Sequence, residues 1–526
     1  MKFSSQTLRT FTTVHTWVGL VCGFALFVAF YAGALTVFHH DIPLWQTPAA
    51  IETPPASVAD AQRLLDGVLA RHEAARRHVG MTFPGADHPQ PIAYWQDDKG
   101  TWLYAWLDQY DGSITPPQAG LAELVNRLHY SLGLPVYGLY LMGVVSLLYG
   151  LALLSGLVIH LPKLVGDLFA LRPGRNIKQM WQDAHNVIGV LSLPFHLLFA
   201  VTGALLCLVF LQIAVLNPLV FQGKLMAAVP AAMDTAPIRQ PAGVGGHSVR
   251  LADLRARAMQ VAAAQGVRGF EPAYLKLANG GDAHATIEIT GEAEGTLGPA
   301  GAVAMDVASG DVLATQLPGQ RDANHATLSA AYALHFGEFG NGAVAWLYFL
   351  LGLGGAFLFY SGNLLWIESR RKRRQVEQGR AQVNMARATV GVCIGLIVAI
   401  SASFVAAQWL ERFAPLAVDA GINWVCFATW GLCALWAALR RPAQAARELL
   451  WAATVVTALV PISHGALTGW WWWASAGHGH WPLFWVDVVA IAMAAGFATL
   501  ARATAQRARH GDPNSVWADA IARTDG

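Results

Sequence analysis

The chain has 526 residues, 55% of them hydrophobic and only 13% charged, with a formal net charge of +2 at pH 7. So few charges cannot coat the three or four soluble domains that such a length would otherwise suggest, and the composition is that of a polytopic membrane protein with no basic face for nucleic acid. The five cysteines, Cys22, Cys207, Cys393, Cys426 and Cys433, all fall in apolar runs without zinc spacing or a Cys-x-x-Cys-His motif, which excludes a disulfide framework, a zinc module and covalently attached haem.

Eight apolar runs reach the length of about 20 residues that a hydrocarbon core about 30 Å thick requires. They cover roughly 14–38, 136–160, 185–210, 343–367, 388–409, 422–439, 449–467 and 484–502. The first follows Lys2 and Arg9 as a signal peptide would, but it is too long and lacks a small-residue cleavage site, so it reads as an anchor. Between the first and second runs, a helix-like stretch at 58–79 precedes alternating segments at 91–95 and 101–108. Between the third and fourth, a helix at 249–264 precedes alternation at 285–289 and 302–306. Both polar segments end alike, Asp108 and Gly112 matching Asp306 and Gly310, where glycine suits a turn between strands of a small α+β module. The chain is thus expected to divide into a first spanning helix (1–41), module one (42–128), helices two and three (129–214), module two (215–334), helix four (335–370), a basic loop (371–387), four additional helices (388–505) and a tail (506–526).

Charge places these parts about the membrane. Lys2 and Arg9, then Lys163, Arg172, Arg175 and Lys178, then Arg370 to Arg374, then Arg440 and Arg441, then Arg502, Arg507 and Arg509 all fall on one side, which the positive-inside rule makes the cytoplasm. Both termini are then cytoplasmic and both modules face outward. The localisation expected is the inner membrane of a bacterium.

The two hairpins repeat each other, histidines included. His15-Thr16-Trp17-Val18-Gly19-Leu20 opens the first run and His185-Asn186-Val187-Ile188-Gly189-Val190 the third, after which Gly33-Ala34-Leu35 falls on Gly203-Ala204-Leu205 without a gap. Leu128-His129 and Leu334-His335 precede the second and fourth runs. A histidine entering a lipid-spanning bundle is costly unless it is paired or bound, so four at duplicated positions point to one shared task, haem ligation. Matched depth pairs His15 with His185 near the inner face and His129 with His335 near the outer face. A histidine at a span end is otherwise an interfacial residue with its tip in water.

Other candidates are weighed in the same way. His196 lies eleven residues after His185 on one helical face and is an alternative ligand, although Pro194 before it could instead free a carbonyl for it to bond. His160 reads as interfacial. His39, His40 and Asp41 could hold iron or a haem propionate but read first as a polar cap. His478-Gly479-His480 follows Trp470 to Trp473, an interfacial aromatic belt, and His464 stands alone in the seventh run. Gly352-Leu353-Gly354-Gly355 lies inside a span without a preceding strand, and close helix packing explains it better than a dinucleotide loop.

These motifs, together with Ser155-Gly156, Thr202-Gly203, Leu334-His335-Phe336-Gly337 and Ser361-Gly362-Asn363-Leu364-Leu365-Trp366, resemble the PepSY-associated transmembrane family over about residues 5–370. These are iron-regulated bacterial inner-membrane proteins that include ferric-siderophore reductases. The resemblance implies a four-helix haem-binding core with PepSY modules in the periplasm, and leaves the last four spans without a family role.

The function expected is that of an oxidoreductase with two haem b, carrying single electrons to a periplasmic acceptor, most plausibly a ferric siderophore. The short inner loops leave no room for a flavin or nicotinamide domain, so electrons would come from a cytoplasmic reductase or a membrane quinol. Two other readings are a peptide-binding or protease-regulating protein whose spans only anchor the modules, and an iron-chelate transporter suggested by the internal repeat.

Overall fold

The computed structural model describes residues 4–52, 54–85, 89–114, 120–163, 177–225, 234–293, 296–372, 374–375 and 377–519. Lys2, Arg172, Arg175 and Arg373, used above to orient the chain, lie outside the described residues. In chain order the helices discussed are α1 (Ser5–Thr36), α2 (Asp41–Gln46), α3 (Val58–Arg71), α4 (Glu73–Arg77), α5 (Gly120–Ser131), α6 (Tyr137–His160), α7 (Ile177–Leu191) and α8 (Leu193–Leu219). They continue with α9 (Leu251–Ala264), α10 (Ala323–Phe336), α11 (Gly342–Ser369), α12 (Arg380–Phe413), α13 (Val418–Leu439), α14 (Pro442–Thr468) and α15 (Trp481–His510). Among the described residues, eight helices are long and apolar enough to cross a membrane: α1, α6, α8, α11, α12, the helix ending in α13, α14 and α15. The protein is a polytopic helical membrane protein.

The chain divides into two compact units. One comprises Met1–Pro48, Ala119–Leu208 and Trp346–Gly526, and the other Ala49–Gln118 and Val209–Ala345. The expected module limits of 42–128 and 215–334 therefore shift. Residues 42–48 and 120–128 belong with the spanning helices because Gln46 Oε1 accepts the Leu121 N–H at 2.9 Å and Trp45 is fully buried among them.

In the helical unit, glycine lets neighbouring backbones approach. A Cβ on Gly352 would stand 2.9 Å from Ala34 Cβ, and one on Gly355 would stand 2.2 Å from the Phe30 ring, as close packing of that glycine run requires. The third apolar run differs from expectation. It is two helices, α7 and α8, meeting at Ser192, because Pro194 has no N–H for the carbonyl one turn back and fits only the first turn of a new helix.

The second unit holds one antiparallel sheet of eight strands: β1 (His78–Thr82), β2 (Ile92–Gln96), β3 (Trp102–Trp106), β4 (Gln109–Ser113), β5 (Glu271–Ala278), β6 (Thr286–Glu292), β7 (Ala300–Asp306) and β8 (Val312–Gln316). The order is β4-β3-β2-β1-β5-β6-β7-β8, so β1 and β5 join the two modules, with Val79 opposite Leu277 and Met81 opposite Leu275. Pairing the inner strands removes two open edges, and Leu64, Met81 and Trp95 share one core with Leu275, Ile287 and Met305. The helix expected over 58–79 is shorter: α3 breaks at His72, α4 ends at Arg77, and Val79 lies in β1. A capping box between Ser57 and Asp60 fixes the start of α3.

The two Asp-x-x-x-Gly endings also differ. In the second module Gly310 turns the chain at φ 72° and its N–H donates to the Asp306 carbonyl at 2.9 Å. In the first the turn comes earlier, with Asp108 itself at φ 65°, and Gly112 falls within β4.

Candidate functional site

The duplicated histidines occupy matched environments in the helical unit. His15, on α1, donates its Nδ1–H to the Ala152 carbonyl of α6 at 2.9 Å, and the hydroxyl of Ser155 donates to the same oxygen at 2.9 Å. His185, on α7, donates its Nδ1–H to the Leu358 carbonyl of α11 at 3.1 Å, and Ser361 donates there at 2.9 Å. Gly156 and Gly362 leave room for the rings: a Cβ at Gly156 would stand 3.0 Å from His15 Cε1, and one at Gly362 3.5 Å from His185 Cε1. The Ser-Gly pair in spans two and four is therefore the seat of the histidine from the preceding span. A proton committed at Nδ1 fixes the tautomer and leaves Nε2 with its lone pair available, as in metal sites whose other ring nitrogen binds a carbonyl.

The two seats bring the rings together. The His15 and His185 ring centroids are 6.3 Å apart, with planes at 84°. Two imidazoles on opposite sides of one metal ion, each nitrogen about 2 Å away as in histidine–metal sites generally, have ring centres about 6 Å apart, so the spacing suits a shared iron. Space for a flat macrocycle lies around the pair. A cavity of about 430 Å³ opens beside the rings, and a second of about 70 Å³ lies against them, bounded by Gly156, Leu157 and Gly189. The larger one falls within the size range of cofactor pockets. Its wall carries Lys178 and Arg370, and also Asn363 Nδ2 and Trp366 Nε1, buried donors with no partner among the described residues. Donors of this kind suit a ligand bearing carboxylates. His160 lines both cavities, so it faces the pair as well as ending its helix.

The outer histidines are placed differently from expectation. His129 and His335 do not end the second and fourth spans but lie on separate short helices before them, α5 and α10. Leu132 at φ 57° and Gly133 at φ 72° end α5, and Gly337 at φ 77° caps α10. His129 nevertheless repeats the inner pattern: its Nδ1 meets the Ala29 carbonyl of α1 at 2.8 Å, and Gly33 lies against the ring. Burial lowers its basicity, against the raising effect of that carbonyl, and favours the neutral ring a metal needs. His335 stands on the last turn of α10 beside Phe336, in the other compact unit.

His196 does not join the pair. It is fully buried, its Nε2 bonds Ser192 Oγ at 2.9 Å rather than a freed carbonyl, and Phe30, Phe195 and Tyr149 surround it. It lines neither cavity at the inner pair. His39 bonds the Thr36 carbonyl at 3.0 Å and lies tilted against His40, which is exposed. His478 and His480 pack on Trp470. Among the described residues, no group of three or more His, Cys, Asp or Glu could hold a bare metal ion. His464 is not alone: it pairs with Asp487, a contact 23 residues apart in sequence that no pattern marks.

In the sheet unit, a cavity of about 260 Å³ lies between the sheet and α10, lined by Lys276, Glu288, Arg321, His325, Ser329 and Tyr332. Glu288 is buried and accepts the Thr235 and Ala236 N–H groups at 2.6 and 2.9 Å, while Lys276 pairs with Asp234 at 2.8 Å. The buried His325 Nε2 and Ser329 Oγ have no partner among the described residues.

The model of the PepSY-associated TM region matches residues 12–369, which contain all four duplicated histidines and both Ser-Gly seats. The chain belongs to the PepSY-associated transmembrane family. One similar protein, an uncharacterized protein of Pseudomonas aeruginosa, is 29% identical over 287 residues, 53% of this chain and 70% of the relative. The eight-stranded sheet then holds the PepSY-like modules. The family match stops before α12, so the four helices that follow are additional to the PepSY-associated region.

Proposed function

We propose that this protein is a dihaem b-type oxidoreductase of the bacterial inner membrane that passes single electrons to a periplasmic acceptor, most plausibly Fe(III) held by a siderophore. The observation that carries the reading is the His15–His185 pair, with rings 6.3 Å apart and each Nδ1 committed to a helix carbonyl. An anchor for peptide-binding modules has no use for such a pair. His15 and His185 would hold the inner haem, and His129 would be a ligand of the outer one.

Haem when bound supplies reversible one-electron chemistry without bond making at the iron. The carbonyls of Ala152 and Leu358 orient the imidazoles and fix the tautomer that leaves Nε2 free, Lys178 and Arg370 would offer charge to propionates, and Asn363 and Trp366 hydrogen bonds. The apolar lining formed by Leu26, Leu153 and Phe359 keeps water away. Helix α10, which carries His335, also lines the cavity that holds Lys276 and Arg321 beside Glu288 and Glu338, a polar recess in the same unit that could receive the acceptor. Reduction to Fe(II) weakens oxygen-rich chelation, so delivery of one electron releases the metal with its ligand intact.

The test is a reduced-minus-oxidised spectrum of the purified chain. We expect the Soret and α bands of six-coordinate b haem, about two haems per chain, falling to about one in His185→Ala. Absence of haem after expression with ample haem supply overturns the reading.

A further inference from the structure

Helix α5, which carries His129, is held on two opposite faces. Two positions along a helix are about 200° apart around its axis, so Arg127 and His129 point to opposite sides. His129 meets the Ala29 carbonyl of α1, and Arg127 donates to Asn423 Oδ1 of α13 at 2.8 Å. One turn further along α13, Phe427 packs on the end of α5, where a Cβ on Gly133 would stand 2.4 Å from its ring. The first turn of α5 is fixed by Gln46 of α2, whose Oε1 accepts the Leu121 N–H at 2.9 Å. Only glycine fits at position 120 beside it, with φ at 58° and a Cβ position 2.5 Å from Gln46 Oε1.

The added spans hold α2 in turn. Gln46 Nε2 donates to Glu411 Oε1 of α12 at 2.7 Å, and Gln408, one turn earlier, donates to the Trp45 carbonyl at 3.0 Å. The indole N–H of Trp45 donates to Asp487 Oδ1 of α15 at 2.9 Å, and the other carboxylate oxygen accepts the Nδ1–H of His464 of α14 at 2.9 Å. Trp45, His464 and Asp487 are all 0% exposed. An ionisable pair inside spanning helices is costly to desolvate and a weak source of net stability; its best-attested use is to specify one arrangement over others. Here that arrangement is the seat of α2, which sets the start of α5. Each of the four added spans thus supplies a side chain to one frame: Gln408 and Glu411 from α12, Asn423 from α13, His464 from α14 and Asp487 from α15.

We propose that spans five to eight are a positioning frame for the outer haem: through α2 and α5 they fix the ring of His129 against α1, so that residues which are not ligands set the ligand's geometry and the haem's potential. This rests on the haem reading, in which His129 is a ligand. Gln46, Arg127 and Asn423 are positioning residues, acting through the hydrogen bond between His129 Nδ1 and the Ala29 carbonyl. Such outer bonds orient an imidazole ligand and tune the metal it holds. Without Asn423 or Gln46, α5 keeps its internal bonds but loses what fixes its rotation and height beside α1. The inner pair is seated on Ala152 and Leu358 instead and serves as the internal control.

Two measurements on the full chain in lipid nanodiscs test this. In the first, which needs no haem, amide hydrogen exchange in peptides covering residues 120–131 is expected to be about tenfold faster in Asn423→Ala and in Gln46→Leu, because each variant removes a bond to a charged or buried group. Peptides covering 177–191 are expected to be unchanged. In the second, a potentiometric titration followed at the α band is expected to show one of two midpoint potentials shifted in both variants and the other unmoved. Asn423→Gln, which keeps an amide oxygen for Arg127, is expected to return most of the shift, and Leu432→Ala, on the exposed face of α13, to change neither reading. Exchange at the wild-type rate in both variants overturns the inference, as do midpoint potentials that both stay or both move alike. A chain without haem overturns the preceding proposal, and the exchange rates then decide alone whether the added spans hold α5.

Discussion

Gly156 stands four residues beyond the carbonyl that seats His15, Gly362 four beyond that of His185, and Gly33 four beyond that of His129. The spacing has a geometric cause. On a helix the Cα–Cβ bond leans toward the N-terminus, so the side chain at one position covers the carbonyl of the turn before, and only glycine leaves that carbonyl open to an incoming ring. The clearances differ, and they rank the effects of adding a methyl group. A Cβ at Gly33 would stand 2.6 Å from His129 Nδ1, one at Gly156 3.0 Å from His15 Cε1, and one at Gly362 3.5 Å from His185 Cε1. Gly33→Ala is therefore expected to lose most of the haem at the His129 site, Gly156→Ala to weaken the inner site, and Gly362→Ala to leave it near wild type. Haem-to-protein ratios by pyridine haemochrome, with a redox titration to separate the sites, check this order. An inverted order would show that the glycines serve helix packing alone. These glycines stand openly in the repeated motifs, and what the motifs do not convey is that each carbonyl beside them meets a histidine 100 or more residues away.

At the level of elements, the long apolar helices were legible because lipid demands about 20 apolar residues whatever their partners. Short strands are another matter. β1, His78-Val-Gly-Met-Thr, alternates over only 5 residues directly after an Arg-rich helical stretch, and β5 contains Pro272, so neither stands out from its surroundings as a strand. Yet these two strands join the modules, and the buried Met81 and Leu275 face each other across the seam. Leu275→Ala removes a fully buried side chain from that shared core, which typically costs about 2–5 kcal/mol. Hydrogen exchange is expected to show protection lost in β2 and β3 as well as in β6 and β7. Loss confined to β5 to β8 would mean that the modules unfold independently.

For the whole molecule, the proposed orientation rests on the basic residues between spans. Arg370, Arg371, Lys372 and Arg374 follow α11, and Arg440 and Arg441 follow α13. A fluorescent protein that matures only in the cytoplasm is expected to shine when inserted at residue 375 and to stay dark at residue 243, and the reverse pattern would invert the proposed direction of electron flow. The same charges acquire a second use in the fold, since Lys178 and Arg370 line the cavity at the inner histidines. Charge counted along the chain reports topology, and only its position beside a cavity reports a ligand.

The sequence by itself determined the spans, the tandem repeat and the four duplicated histidines, because hydropathy, length and internal similarity are properties of the chain taken in order. Tertiary structure decided that His15 and His185 face each other within 6.3 Å, that His196 is walled in by aromatic rings, and that His464 finds Asp487. Those facts depend on which faces of separate helices meet, and helix faces are chosen by packing among distant segments, where a glycine or a buried carboxylate decides the approach by a few ångströms that no local pattern encodes.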